Sequence, residues 1–475
     1  MDVSIKKRII FDPIYGFIRL TPLEWEIVHS PYYQRLRWLK QLGFACYVFP
    51  GAEHSRFGHS IGSMFNAHNI LISINKAVSD EELVDPKCGS KAKKFHQSIR
   101  LGALMHDLGT FPFSHTTEAA YIKFGETTHS KGGKGLKDDH ENLGAFVIKN
   151  TDFPGGITHI LEKYGHEAKH ISDLVKGTST SILANQILHA EVDCDRMDYL
   201  LRDAHYTGLE YGTYDRDYLL HHFSLAKVDN QEILTINSNA LHCVEDFLMS
   251  RFSWYSQVVR SPRGAKYDAL AEHICLYMLE KRLFVRYSEI LEMVTDSPLR
   301  FLGFTDNFFL TQIQKSLANG NFDEDPKIYD MAMGLLLEKG PKRVRHDDLR
   351  RVLLNQDNTA ENDKICKKAK AKVQEIRDFI KKKGGPKDWI ISDLPTKDIT
   401  FVKSYKQIIK DSKGPNILLE RDPVKISYEN GDIKLLGEIE NSTISILQDT
   451  KNYIPNVFCS QSAYEILSKA KLIDE

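Results

Sequence analysis

Long hydrophobic runs are missing from this chain. No segment approaches the roughly twenty apolar residues that a membrane span needs, and the opening MDVSIKKRII lacks the apolar core of a secretory signal. Both absences predict a cytoplasmic protein with no membrane partner. Paired cysteines are missing too. The seven cysteines (46, 88, 194, 243, 275, 366 and 459) are scattered, odd in number and free of CxxC spacing. That excludes a disulfide scaffold or a zinc ribbon and suits reduced thiols. An excess of charge of one sign is also absent: 63 Lys and Arg face 64 Asp and Glu, a net charge of −1. No global field draws the protein to nucleic acid or membrane, so any electropositive site must be local. Residues 125–140, GETTHSKGGKGLKDDH, are rich in glycine and lysine but lack the GxxxxGK[ST] order and a preceding strand. They read as a surface loop or lid rather than a phosphate loop. No internal repeat is present at a fixed period.

What is there is an ordinary globular composition: 475 residues, 42% hydrophobic and 27% charged. That length holds one large core and one or two smaller modules. The pattern predicts a mainly α fold with short β-hairpins. We expect a helical core over 1–285, a helical extension over 286–384 and a small α+β appendage over 385–475. Hairpins are expected at 7–20 and 227–237, the second turning at Asp229-Asn230. Helices are expected over 22–30, opened by Thr21 and Pro22, and over 32–43, 55–79, 96–108, 141–150, 184–203, 239–260 and 266–283. Residues 286–355 read as further helix. Segment 363–387 has nine lysines in twenty-five residues. With Phe379 as its only aromatic it lacks stacking residues for nucleic acid, so a solvated helix or a neighbouring subunit is the better reading. Asn430-Gly431 marks a last hairpin.

The chemistry concentrates at LGALMHDLGTFPFSH, 101–115. His106-Asp107 interrupts an apolar helix, where an unpartnered polar group would cost about 1–3 kcal/mol to bury. A divalent metal suits both side chains at once. An HD dipeptide alone is weak evidence, because a helix end with His106 against terminal carbonyls and Asp107 in water is the commoner explanation. His59, three residues after Arg56 on one helix, and Asp195 supply further ligands. Two imidazoles and two carboxylates suit Fe, Mn, Zn or Mg and leave coordination positions for water and a substrate oxygen. Asp195, Tyr199, Arg202 and Asp203 fall at i, i+4, i+7 and i+8, a polar stripe along one helix. His140-Glu141 opens another helix, either as capping or as an oriented acid–base pair.

In order, His59, His106-Asp107 and Asp195 have the spacing of the HD phosphohydrolase superfamily. FDPIYGFIRLTP, QRLRWLKQLGFACYVFPGAEHSRFGHSIG, HDLGTFPFSH, HEN and DRMDYLLRDAHYTG closely resemble the dNTP triphosphohydrolases of the sterile-alpha-motif-and-HD-domain type. The likeness runs from about 7 to 285, without a preceding sterile-alpha-motif domain, as in bacterial relatives. It implies that His59, His106, Asp107 and Asp195 hold the metal, and that Arg56, Asp107 and His115 act on the α-phosphate. It places His140 and Glu141 in the catalytic histidine network. Gln41, Leu42, Tyr199 and Asp203 would recognise the deoxyribose and exclude the 2′-hydroxyl, and Arg251 would grip the polyphosphate. The implied reaction is hydrolysis of a dNTP to deoxynucleoside and triphosphate by a homodimer or homotetramer. The alternatives are an HD-type nuclease or nucleotide phosphodiesterase, and a non-catalytic nucleotide-binding regulator.

The chain departs from the family pattern at Thr110, where a second histidine usually follows HDLG. Val259, Arg260, Ser261 and Pro262 stand where that family has Tyr-x-His-Lys. His29, Tyr218 and Asn237 replace residues that read a guanine-nucleotide activator, although Gln34 and Arg37 are retained. Activation by a guanine nucleotide is therefore expected to be absent or altered.

Overall fold

The first hairpin forms where alternating β-prone residues flank a Pro-Gly turn: β1 (Ile9–Asp12) pairs antiparallel with β2 (Gly16–Arg19). Helix α1 (Pro22–Val28) follows, capped by Thr21 and Glu24 in a reciprocal capping box. In this computed structural model the described residues are 8–85, 89–129, 138–355, 358–394, 399–400, 405–412 and 416–474.

The expected helix over 32–43 is not one helix. A four-residue α turn (Pro31–Gln34), a 3-10 turn (Arg35–Trp38) and a second 3-10 turn (Gly43–Tyr47) replace it. The cause is Arg35, fully buried, whose guanidinium donates to the carbonyls of Leu108 and Phe304 and lies 4.4 Å over the Phe301 ring. Those tertiary bonds outweigh the local helical preference.

Three helices make the frame of the site. These are α2 (Arg56–Ser73), α3 (Lys91–Met105) and, further on, the helix Cys194–Thr207. Their inward faces are apolar and fully buried, as at Ile61, Leu101, Leu104 and Leu200. His106 is the C-cap of α3, so the His-Asp pair sits just past the helix rather than within it. α4 (His115–His129) takes in the first residues of the expected 125–140 loop; 130–137 lie outside the described residues. α5 (His140–Lys149) crosses the His-Asp turn closely. A β-carbon on Gly109 would strike the His140 carbonyl and the Gly144 nitrogen.

The expected helix over 184–203 is two helices, α6 (Ile182–His189) and α7 (Cys194–Thr207), joined by an extended turn. Asp193 breaks the run by capping α7, accepting from the Arg196 nitrogen at 2.7 Å. α2 and α7 approach closely at Gly62, where a β-carbon would overlap Asp198 and Arg202. The second hairpin, β3 (Phe223–Val228) and β4 (Gln231–Asn237), turns at Asp229-Asn230, both with positive φ. α8 (Leu241–Trp254) runs into a π-helical turn (Tyr255–Val259) before α9 (Pro262–Glu280).

Helix gives way to strand sooner than expected within 286–355. The last part holds β5 (Lys342–Arg343) and β6 (Val352–Asn355). α10 (Thr359–Lys383) carries the lysine run, and its apolar edge (Val373, Ile376, Ile380) is buried in a second, smaller core. That core draws residues from Val344 to Ile473, on both sides of 384. Meanwhile β7 (Lys425–Ser427), in the hairpin turned at Asn430-Gly431, pairs parallel with β4 and carries Ile426 into the main core. The C-terminal region therefore packs against both cores.

Candidate active site

A cavity of about 420 Å³ opens where α2, the turn after α3, α7 and the end of α8 converge. Gln41, Leu42, Arg56, His59, His106, Asp107, His115, His140, Asp195, Tyr199 and Asp203 all line it. Residues from widely separated segments, singled out by spacing or by the family resemblance, thus line one cavity. Glu141 and Arg251 do not. Glu141 is exposed at the start of α5, and Arg251 is paired with the Glu191 carboxylate.

At the inner end His59 Nε2 lies 3.2 Å from His106 Nε2 and 2.9 Å from Asp195 Oδ1. Asp107 Oδ2 is 3.8 Å and 3.5 Å from the same two nitrogens. The outer nitrogens decide what these faces are. His59 Nδ1 donates to Asp198 at 2.8 Å, and His106 Nδ1 donates to the Ala103 carbonyl at 2.7 Å. With both Nδ1 atoms protonated, both Nε2 lone pairs converge on one point beside two carboxylates. Neutral imidazoles so arranged repel unless a cation sits between them, and oriented imidazoles of this kind are how proteins hold divalent metals. His59, His106 and Asp107, with Asp195 Oδ1 against His59, could therefore hold a divalent metal ion. Burial opposes charge on His59, but hydrogen bonds to Asp195 and Asp198 outweigh it and raise its pKa to about 10, so a divalent ion would take the place of the Nε2 proton. Burial likewise opposes ionisation of Asp107, yet Arg56, His106 and His59 hold its carboxyl well below the usual range. Arg56 Nη1 grips both Asp107 oxygens at 2.9 Å.

Behind this set, Asp198 also accepts from Arg202 at 2.8 and 3.0 Å, and Arg202 reaches Asp12 at 2.9 Å. The chain Asp12–Arg202–Asp198–His59 fixes the ring through buried, matched charges. Asp198 and Arg202 were visible only as members of an acidic, helical run; their inward aim depends on α2 packing against α7.

Toward the mouth, Glu118 joins the two remaining histidines. Its carboxylate accepts from His115 Nδ1 and His140 Nδ1, each at 2.6 Å, and from the His140 backbone at 2.8 Å. Burial would raise the Glu118 pKa, but the two histidines lower it strongly. Glu118 escaped the sequence reading, although its i+3 spacing from His115 on α4 is a usable signal. The turn before it is strained: Phe113 and Ser114 have φ of 53° and 56°. Asp306 holds that turn, accepting from the Phe113 nitrogen at 2.6 Å and the Lys40 nitrogen at 2.8 Å. Thr110 is buried and donates to Asp107 Oδ1 at 3.1 Å; it is not on the cavity wall. Arg196 and Trp254 are cavity residues that the sequence reading did not single out.

Two buried acceptors on this wall have no hydrogen-bond partner, Gln41 Oε1 and Asp203 Oδ2. The other Asp203 oxygen takes His54 Nε2 at 2.7 Å, and His54 stacks on Tyr206. A further histidine pair, His68 with His96, lies outside the cavity lining and its rings stack at 5.1 Å.

Residues 56–203 match the family model of the HD domain. The chain is 30% identical over 309 residues to an uncharacterised protein of Methanocaldococcus jannaschii, covering 65% of this chain and 58% of that one. It is 28% identical over 260 residues to the uncharacterised protein YwfO of Bacillus subtilis, covering 54% and 52%. To human deoxynucleoside triphosphate triphosphohydrolase SAMHD1 it is 24% identical over 286 residues, covering 55% and 43%. The chain thus spans about half the length of the curated relatives it matches. A phosphohydrolase from Bacteroides thetaiotaomicron shares the fold with a TM-score of 0.64 at 20% identity, covering 96% of this chain and 100% of that one. A hypothetical protein from Aquifex aeolicus does so at 0.65 and 24%, covering 98% and 99%. Residues 56–203 thus carry an HD domain, and the chain around them resembles HD-domain phosphohydrolases. Among the described residues no helix is long and apolar enough to cross a membrane.

Proposed function

We propose that the chain hydrolyses deoxynucleoside triphosphates at the α-phosphate, releasing deoxynucleoside and inorganic triphosphate. The observation that carries this reading is one cavity lined by two kinds of group: the four-ligand set and the unpartnered acceptors of Gln41 and Asp203. A sugar hydroxyl satisfies such acceptors by donating to them. His59, His106, Asp107 and Asp195 would hold a divalent ion (Fe, Mn, Zn or Mg), which acidifies water and polarises a phosphoryl oxygen. Arg56, already beside Asp107, stabilises charge that develops on the α-phosphate. Water adds to phosphorus and the P–O5′ bond breaks, so the 5′ oxygen needs a proton. His115 or His140 supplies it from Nε2, because Glu118 engages Nδ1 of each ring. Tyr199, backed by Trp254 at 4.7 Å, gives the sugar a flat wall. Glu141 and Arg251 belong to this reading only through the family resemblance. A homodimeric or homotetrameric assembly and a cytoplasmic setting complete it; the six described cysteines are all free thiols.

The test is a substrate panel. Purified chain with Mn²⁺ or Mg²⁺ is incubated with each dNTP, each NTP, and single-stranded DNA or RNA. Triphosphate release from dNTPs supports the proposal. Nucleoside monophosphates from any substrate favour a nuclease or phosphodiesterase, and binding without turnover favours a nucleotide-binding regulator.

A further inference from the structure

The arginines around the cavity are already matched with carboxylates. Arg56 holds Asp107, Arg196 holds Asp193, Arg251 holds Glu191, and Arg260 reaches Asp393 at 3.1 Å. Two of these carboxylates, Glu191 and Asp193, come from the short turn between α6 and α7. Ala190 and Asp193 are extended there, with ψ of 177° and 172°. The Glu191 nitrogen donates to the Asp422 carbonyl at 3.0 Å, which pins the turn from the C-terminal region. Arg251 sits one helical turn before Trp254 and Tyr255, both on the cavity wall, so it shares their face of α8. Its guanidinium is turned from that wall to Glu191. Both side chains are largely buried, at 12% and 14% exposure, so the pair is poorly screened by solvent.

We propose that Glu191 sets how many phosphates the cavity accepts, by competing with the phosphate chain for Arg251. The proposal rests on the nucleotide reading above and specifies the substrate class at that site. A monophosphate carries about −1.5 to −2 charges at neutral pH, and each further phosphate adds more. A monophosphate seated by Arg56 needs no second arginine, whereas a triphosphate extends past Tyr199 toward α8. Arg251 meets that chain only when Glu191 releases it. Apparent affinity for the longer nucleotide is then reduced by the fraction of molecules in which Arg251 is released. Glu191 is a specificity residue acting through Arg251, and it touches no reacting atom.

The test compares dATP with dAMP. Glu191→Gln and Glu191→Ala should lower KM for dATP about tenfold, with kcat held within about twofold and KM for dAMP little moved. In an Arg251→Gln background, Glu191→Gln should no longer change KM for dATP, the mark of action through the arginine. Unchanged KM for dATP, an equal change for both nucleotides, or persistence of the effect without Arg251 overturns the proposal. If the wild-type chain turns over neither nucleotide, the nucleotide-hydrolysis reading has failed. Calorimetric titration of dATP with Ca²⁺ then decides on Glu191 alone: tighter binding by Glu191→Gln supports the competition, and equal binding refutes it.

Discussion

Asp198→Asn is the sharpest perturbation of the metal end, because it keeps the shape of the side chain and removes its charge. Asp198 is fully buried and accepts from three donors: His59 Nδ1 at 2.8 Å, Arg202 Nε at 2.8 Å and Arg202 Nη2 at 3.0 Å. Asparagine offers one oxygen and one amide nitrogen, so one of those donors must face another donor. Arg202 keeps Asp12 at 2.9 Å, so its charge is not orphaned. The cost therefore falls below that of breaking a lone buried pair, at about 2–3 kcal/mol. That is a large share of a typical total of about 5–15 kcal/mol. The other consequence is functional. His59 loses the acceptor that fixes its tautomer, and metal affinity should fall about 10–100-fold. Urea unfolding reads the first effect, and Mn²⁺ competition against a fluorescent chelator reads the second. A variant that binds Mn²⁺ as tightly as wild type, with an unchanged urea midpoint, would refute the reasoning that Asp198 orients His59.

Glu118→Gln should lower kcat at least about 100-fold and cost about 1–2 kcal/mol of stability, since an amide cannot accept from both His115 and His140 in the same orientation, although exposed His115 can turn to water. Thr110→Val should leave turnover within about threefold, because the hydroxyl reaches Asp107 and not the cavity; it loses one hydrogen bond worth about 1 kcal/mol. Added GTP should leave dNTP turnover unchanged: His29 packs tilted against Trp25 and is bonded to its carbonyl, and Arg37 lies over Phe57 and donates to Gln34. Acid should destabilise the fold. Burial lowers His68 to about 3 and His96 and His166 to about 4. The unfolded chain, near 6.5, then binds more protons between those values, so stability falls as pH drops from about 6.5 toward 4. Each histidine contributes about 1–3 kcal/mol of that loss. Melting curves from pH 7.5 to 4.5 check the slope, and the double variant His68→Gln/His96→Gln should flatten it.

Much of the site was legible because its chemistry is local in sequence. His106-Asp107 stands out against an apolar helix, and Arg56-His59 and Asp195-Tyr199-Asp203 are helical neighbours that must share a face. Spacing could not reveal partners that only packing supplies. Asp198 became the support of His59 because α7 lies against Gly62 of α2. Asp306 became the brace of the Phe113-Ser114 turn from nearly two hundred residues away. Arg251 carries a motif position that the resemblance assigns to phosphate, yet a carboxylate from the 190–193 turn takes it. The helical errors have the same origin. The 32–43 run has the apolar periodicity of a helix, but buried Arg35 ties it to two distant carbonyls. The 184–203 run breaks where Asp193 caps a new helix rather than continuing the old one. The lysine-rich run 363–387 also carries Val373, Ile376 and Ile380, and these are buried in a core drawn from residues on both sides of it.

The central claim, water attack at the α-phosphate beside the four-ligand set, is tested most directly by hydrolysis of dATP with Mn²⁺ in ¹⁸O-labelled water, followed by mass spectrometry of the products. The account predicts equal amounts of unlabelled deoxyadenosine and singly labelled triphosphate, with no turnover by Asp195→Ala. Release of dAMP and pyrophosphate, label in deoxyadenosine, or full activity of Asp195→Ala would contradict it.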